Sequence, residues 1–183
     1  MNRIAKFSKV SYEQFKKDFM KLFDIDEKDG SVYDKEIKMS YDSIMLPKRA
    51  TSGSAGYDFF SPFGFDLYPG ESIVIPTGIR CEMNSNWVLM EFPRSGLGFK
   101  YGLSMANTIP VIDSDYFHSD NEGHILIKLV NDSCIAHDLG HNDGAVEFDV
   151  GKAFCQGIFL QYGVTIDDDV ETVRNGGFGS TDN

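Results

Sequence analysis

Arginine is scarce in this 183-residue chain, and its placement points to chemistry. Of the five arginines, Arg94 opens the stretch Arg94-Ser95-Gly96-Leu97-Gly98 and Arg174 precedes the Gly-rich run from Gly176 to Thr181. A guanidinium is a fork of donors matched to phosphate oxygens, while glycine lets backbone N–H groups approach the same anion. Two such stretches suggest phosphate binding, and a Gly-containing turn with a surface Arg is the alternative for either one alone. Neither is a standard nucleotide loop. Gly98-Phe99-Lys100 is followed by Tyr101 where a P-loop needs Ser or Thr, and the strand, three spaced glycines and helix of a dinucleotide fingerprint are not found.

A second group is Val111-Ile112-Asp113-Ser114-Asp115-Tyr116, two carboxylates and an aromatic ring directly after an apolar pair. A carboxylate beside a phosphate site can orient and deprotonate a water for attack on phosphorus, and Tyr116 could stack on a sugar or base. An Asx-type turn between two strands is the plainer reading. Phe178, flanked by glycines near the end of the chain, either closes over a ligand as a lid or docks on the protein's own surface.

Strands are the main elements available to position these groups. SIVIPTGIRCEM, WVLMEF, HILIKLV and AFCQGIFLQYGVTI are short, rich in β-branched and aromatic residues, and separated by Gly, Pro, Asn and Asp clusters, which predicts an all-β sandwich or barrel. Residues 1–32 read as a separate extension: Phe15, Phe19, Leu22 and Phe23 fall at helical spacing. With Ser11 and Gln14 in a capping-box pattern, they predict an amphipathic helix from Tyr12 to Phe23. The polar Asp24–Ser31 stretch predicts a turn, with strand-like periodicity from Val32 onward. Residues 33–169 then form the main domain, with 132–149 loop-like, and 170–183 form a Gly-rich C-terminal arm.

Composition bounds the function. Seventeen Lys and Arg against 28 Asp and Glu give a net charge of −11, which disfavours bulk nucleic-acid binding. No apolar run is long enough to span a membrane and the N-terminal stretch has no apolar signal core, so the expectation is a cytoplasmic protein. Cys81, Cys134 and Cys155 form no CxxC pair and are expected as reduced thiols. The His137–Asp143 stretch and the set His118, Asp120, Glu122 and His124 carry metal-ligating residue types but read as solvated loops.

Taken together, Ala55-Gly56-Tyr57-Asp58, Pro93 to Gly98, Asn107 to Tyr116, Gly151 to Gln156 and Gly176 to Thr181 resemble, in order, the five motifs of the trimeric dUTPase family. The resemblance runs from about residue 37 to the C-terminus. It implies a distorted jelly-roll β-barrel, a homotrimer with active sites shared between subunits, and hydrolysis of dUTP to dUMP and pyrophosphate. By that similarity Asp113 activates the attacking water, Tyr116 packs under the deoxyribose, and Asn107 with nearby hairpin backbone such as Ile112 reads the uracil edge. Arg94, Ser95 and Gly96, with Gln156 beside them, would hold phosphates, and Asp58 would be structural, tied to Arg94. The arm would bring Phe178 over the uracil and Arg174 to the terminal phosphate, with Gly179, Ser180 and Thr181 as further substrate contacts. Mg2+ would be carried by the substrate phosphates and water rather than by a protein cage.

This chain departs from the family pattern in places. The hairpin after Tyr116 is longer, Lys152 and Ala153 stand where an acid and an Arg are usual, Pro110 replaces a common Gly, and Arg174 lies one residue closer to Phe178. Two other readings remain. A dCTP deaminase would need a Glu where Lys128 stands, and a protein-binding regulator would use the N-terminal helix or the 132–149 stretch.

Overall fold

Burial alternates along most of the apolar runs, as half-buried sheets require. The computed structural model describes residues 2–26, 28–132, 144–172 and 174. Within them β2 (Tyr57–Phe60), β11 (Ala153–Gln161), β6 (Trp87–Pro93) and β8 (Val111–Ile112) form one antiparallel sheet in that order. A second sheet has the order β4 (Ser72–Pro76), β9 (Leu126–Asn131), β7 (Leu103–Met105). Two more antiparallel pairs join β1 (Ala5–Lys9) to β5 (Ile79–Met83) and β3 (Phe65–Leu67) to β10 (Val146–Phe148). The inward residues, among them Phe59, Ile75, Leu89, Ile127 and Phe154, form the core. The fold is mostly β, with few helices.

The first 43 residues differ from expectation. Residues 5–9 are a strand registered on β5 from Ala5↔Met83 to Lys9↔Ile79. After it comes the helix α1 (Tyr12–Leu22), in which Ser11 Oγ accepts from the Gln14 N–H at 3.1 Å. The reciprocal half of the capping box comes from elsewhere: Gln14 Nε2 donates to Asp18, while the Ser11 N–H donates to Glu122 at 2.8 Å. A second helix, α2 (Gly30–Ser43), occupies residues read from the sequence as the end of a turn and the start of strands. Val32, Tyr33, Ile37 and Tyr41 are β-formers by composition, yet Ile37, Ser40 and Ile44 recur at helical spacing and are buried, and packing overrides propensity. The expected boundary at residue 32 therefore falls inside α2, and Val10, Phe15 and Ile37 belong to the same core cluster as Phe59 and Ile75.

The 132–149 stretch is not wholly a loop, because Val146–Phe148 registers on β3 and stacks Phe148 on Phe65 at 4.7 Å. Residues 133–143, with Cys134 and the His137–Asp143 stretch, lie outside the described residues. Cys81 and Cys155 are buried free thiols on β5 and β11.

One core position carries a charge-bearing group. Glu91 on β6 is fully buried; its Oε2 accepts at 3.6 Å from the Cys155 thiol, and its Oε1 has no partner. Burial pushes its carboxyl from 4.5 up to about 8, opposed by the Cys155 hydrogen bond. Between those values the folded protein keeps a proton that the unfolded chain has released. This contribution to stability is thus fully present at acid pH and is lost as pH rises towards about 8. Glu91→Gln should remove that loss. Melting curves from about pH 5 to about pH 8 should show the variant gaining a few kcal/mol relative to the parent across the window, and parallel curves would show that Glu91 is ionised in the fold.

Candidate active site

β8 pairs with β6 through Leu89↔Ile112, and the chain then leaves the sheet at Asp113. Asp113 stands in extended conformation before a single 3-10 turn, Ser114–His118, and its carbonyl accepts the Tyr116 N–H at 3.2 Å. This turn separates two environments within four residues. The Asp113 side chain keeps 45% of its surface, whereas Tyr116 keeps 4%. The Tyr116 hydroxyl donates to the His124 carbonyl and accepts from Asn121 Nδ2, each at 2.8 Å. Burial raises its pKa above the usual tyrosine value, so it stays a protonated donor. The Ile112 side chain belongs to the core, at 4% exposure, so only its backbone is suited to the binding role expected of it. Asn107 sits exposed in the turn between β7 and β8, beside Thr108 with φ of 62°.

Arg174 reaches this same turn. Its Nη2 lies 2.5 Å from Asp113 Oδ2, its Nε 3.1 Å from Asp115 Oδ1, and its guanidinium carbon 5.8 Å from the Tyr116 ring centroid. In the single chain, the Arg expected on a terminal phosphate thus neutralises two carboxylates of its own hairpin. Phe178, Gly179, Ser180 and Thr181 lie outside the described residues.

The other sequence-predicted residues gather at the far end of the same sheet. Gln156 on β11 is registered between Asp58 of β2 and Phe92 of β6. Asp58 Oδ1 lies 3.2 Å from Arg94 Nε, and Arg94 Nη1 donates to the Ala153 carbonyl at 3.5 Å. A guanidinium has five N–H donors, so several remain for a ligand. A Cβ at position 56 would stand 2.4 Å from Gln156 Oε1, so a larger residue there would displace the Gln156 side chain. Arg94, Ser95 and Gly96 enter the helix α3 (Ser95–Tyr101) and, with Leu97, Lys100 and Tyr101, line a cleft of about 390 Å³. Lys100, considered in the sequence only as a failed P-loop position, adds a second cation to this cleft.

Strand direction separates the two groups. β6 and β8 are antiparallel, so Arg94 leaves the C-terminal end of β6 while Asp113 leaves beside its N-terminal end. About six residues of strand lie between those points, on the order of 20 Å. Among the described residues no hydrogen bond or ion pair joins Asp113 or Asp115 to Arg94, Ser95 or Gln156.

The expectation of a solvated set holds for the exposed His118 and Asp120 and is corrected for Glu122 and His124. His124 is fully buried, with Nδ1 on Asp18 at 2.6 Å and Nε2 accepting the Gly78 N–H at 2.8 Å, and Glu122 caps Ser11. Glu122 and His124 are thus structural partners of α1.

A family model described as dUTPase matches residues 42–181. The deoxyuridine 5'-triphosphate nucleotidohydrolase of Lactococcus lactis is 37% identical over 141 residues, spanning 75% of this chain and 88% of that one. That of Dictyoglomus turgidum is 37% identical over 147 residues, spanning 75% and 90%. The crystal structure of dUTPase from Streptococcus mutans superposes with a TM-score of 0.56 at 31% identity, covering 68% of this chain and 90% of that one. A dUTPase from phage phi11 of S. aureus shares the fold at 23% identity, with a TM-score of 0.58 over 78% and 96%. With its Asp113 hairpin and its Arg94 cradle held at the two ends of one sheet, the chain belongs to the dUTPase family.

Proposed function

We propose that the protein hydrolyses dUTP to dUMP and pyrophosphate, with Asp113 activating the water that attacks the α-phosphorus. The observation that carries this reading is the hairpin itself: a half-exposed carboxylate one turn before a buried, hydrogen-bonded tyrosine. Asp113 sits where solvent reaches it, so it can hold a water and take its proton. By the family resemblance Tyr116, fixed by its hydroxyl, would pack its ring under a deoxyribose and disfavour a 2'-hydroxyl. Arg94, steadied by Asp58, neutralises phosphate oxygens together with Ser95, Gly96, Lys100 and Gln156, and such neutralisation with positioning is most of what phosphoryl chemistry requires. Among the described residues no three His, Cys, Asp or Glu side chains gather into a set able to hold a metal. The donors present suit phosphate, and by the family resemblance Mg2+ would enter with the substrate, bound to its phosphates and water.

The assembly we infer is a homotrimer of jelly-roll barrels. The opposite exits of Asp113 and Arg94 support sites built from the hairpin of one chain and the cradle of the next, each closed by an arm bearing Phe178. The Arg174–Asp113 contact favours a second reading, in which the arm serves the hairpin of its own chain. For the deaminase alternative, the position that would need a Glu is Lys128, exposed on β9, and an ammonium there cannot deliver water to a cytosine ring.

Three outcomes are expected. With Mg2+, pyrophosphate release should be rapid from dUTP and far slower from dTTP, whose 5-methyl group has no room against a hairpin that bonds uracil closely; equal turnover would sink the reading. Asp113→Asn should keep dUTP binding and lose about a hundredfold or more in kcat, and a variant with parental turnover would reduce Asp113 to a turn residue. Finally, co-expressing Asp113→Asn chains with chains truncated before Arg174 should restore activity absent from either homotrimer. Mixed trimers verified by mass that remain inactive would establish the self-serving arm instead.

A further inference from the structure

The first 41 residues lie outside the span matched by the family model, yet α1 makes side-chain contacts with the hairpin that carries Tyr116. Asp18 on α1 accepts from His124 Nδ1 at 2.6 Å across 106 residues of sequence. The proton's position follows from the other nitrogen. Nε2 accepts the Gly78 N–H at 2.8 Å, so it carries no hydrogen, and the ring is neutral with its proton on Nδ1. The contact is therefore a buried hydrogen bond from a neutral imidazole to a carboxylate. Burial alone would raise the Asp18 carboxyl, but hydrogen bonds from His124 and Gln14 prevail and hold it below the usual range. A second link joins the same two elements: Glu122 accepts from the Ser11 N–H at 2.8 Å and from the Ser11 hydroxyl at 2.7 Å.

These links converge on one residue. The His124 carbonyl is the acceptor for the Tyr116 hydroxyl, and Asn121 holds the same hydroxyl from the other side while its own Oδ1 accepts the Gly123 N–H at 3.2 Å. Gly123 has φ of 70°, and a Cβ there would stand 2.8 Å from the Tyr116 carbonyl, so residues 121–124 fold tightly back over the turn. The backbone that receives Tyr116 is thus clamped by a histidine ring fixed at both nitrogens, one of them by α1.

We propose that Asp18, acting through His124, is a positioning residue for Tyr116, so that the N-terminal helix sets how strictly the site distinguishes a deoxyribose from a ribose. Released from Asp18, the His124 segment and with it the Tyr116 ring gain freedom, and the surface that excludes a 2'-hydroxyl loosens. The proposal rests on the reading that this hairpin holds the sugar of dUTP.

Steady-state cleavage of dUTP and UTP, well below the melting temperature of each variant, tests it. Asp18→Ala should lower kcat/KM for dUTP by about tenfold, the scale of one charge-assisted hydrogen bond, with no matching fall for UTP, so that the dUTP/UTP ratio drops. Asp18→Asn, whose amide oxygen still accepts from Nδ1, should recover most of the ratio. Leu67→Ala, a core truncation on β3, should lose stability and keep the ratio. If Asp18→Ala does not fold, Glu122→Gln decides, and should lower the ratio to a lesser degree. A folded Asp18→Ala with the parental ratio, or an unchanged Glu122→Gln where Asp18→Ala is unfolded, overturns the brace while leaving the functional reading intact. A parent protein that does not cleave dUTP overturns both.

Discussion

The ladder between β6 and β11 is the constraint from which the rest of the site follows. Its register is unbroken from Cys155↔Pro93 to Gln161↔Trp87, and the strands on either side of it, β2 and β8, carry the other site segments. Asp58 reaches Arg94 because β2 lies across β11 from β6, and Asp113 is displaced to the opposite end because β8 runs against β6. A one-residue slip would turn Leu89 and Glu91 out of the core and move both exits at once. The placement of Asp113 and of Arg94 is therefore a property of strand order more than of the loops that bear them.

Electrostatics then works locally against the global field. A net charge of −11 repels a polyanionic substrate at long range, and attraction must come from a few cations at short range. Arg94 and Lys100 supply it at one end, and Arg174 offsets Asp113 and Asp115 at the other. The carboxylate proposed as the base is thus held beside a cation, which limits the repulsion it would exert on arriving phosphates. Solvent screens these partly exposed pairs, so their effect is on orientation and encounter more than on stability.

What could be read from the sequence divides along the same line. Arg94-Ser95-Gly96 and Asp113 to Tyr116 stood out in the sequence because each is a contiguous run of residue types suited to phosphate binding or water activation. The strands of the core were legible as alternating apolar runs. Misread were α2, where Val32, Tyr33 and Ile37 suggest strand while burial follows the helical set Ile37, Ser40 and Ile44, and β1 and β10, short strands that exist only through partners far away in sequence. The pairing of Asp18 with His124 had no local signal at all, since neither residue sits in a motif and only the packed fold brings them together.

The capping of α1 shows how such a pairing changes the status of a segment. A helix that completes its own capping box is closed at its N-terminus and can dock or detach as a unit. Here Ser11 completes only half of that box, and the remaining N–H is satisfied by Glu122 from the hairpin. Detaching α1 would therefore leave an N-terminal donor and a hairpin carboxylate without each other, and would strip His124 of the acceptor for its ring proton. Both losses fall on residues 121–124, which also hold the Tyr116 hydroxyl, so the order of the Tyr116 ring and the docking of the N-terminal helix are coupled through shared hydrogen bonds. Whether a segment outside the family's matched span is ornament or working part is decided by where its unsatisfied groups find partners, and those of α1 find them on the segment that holds Tyr116.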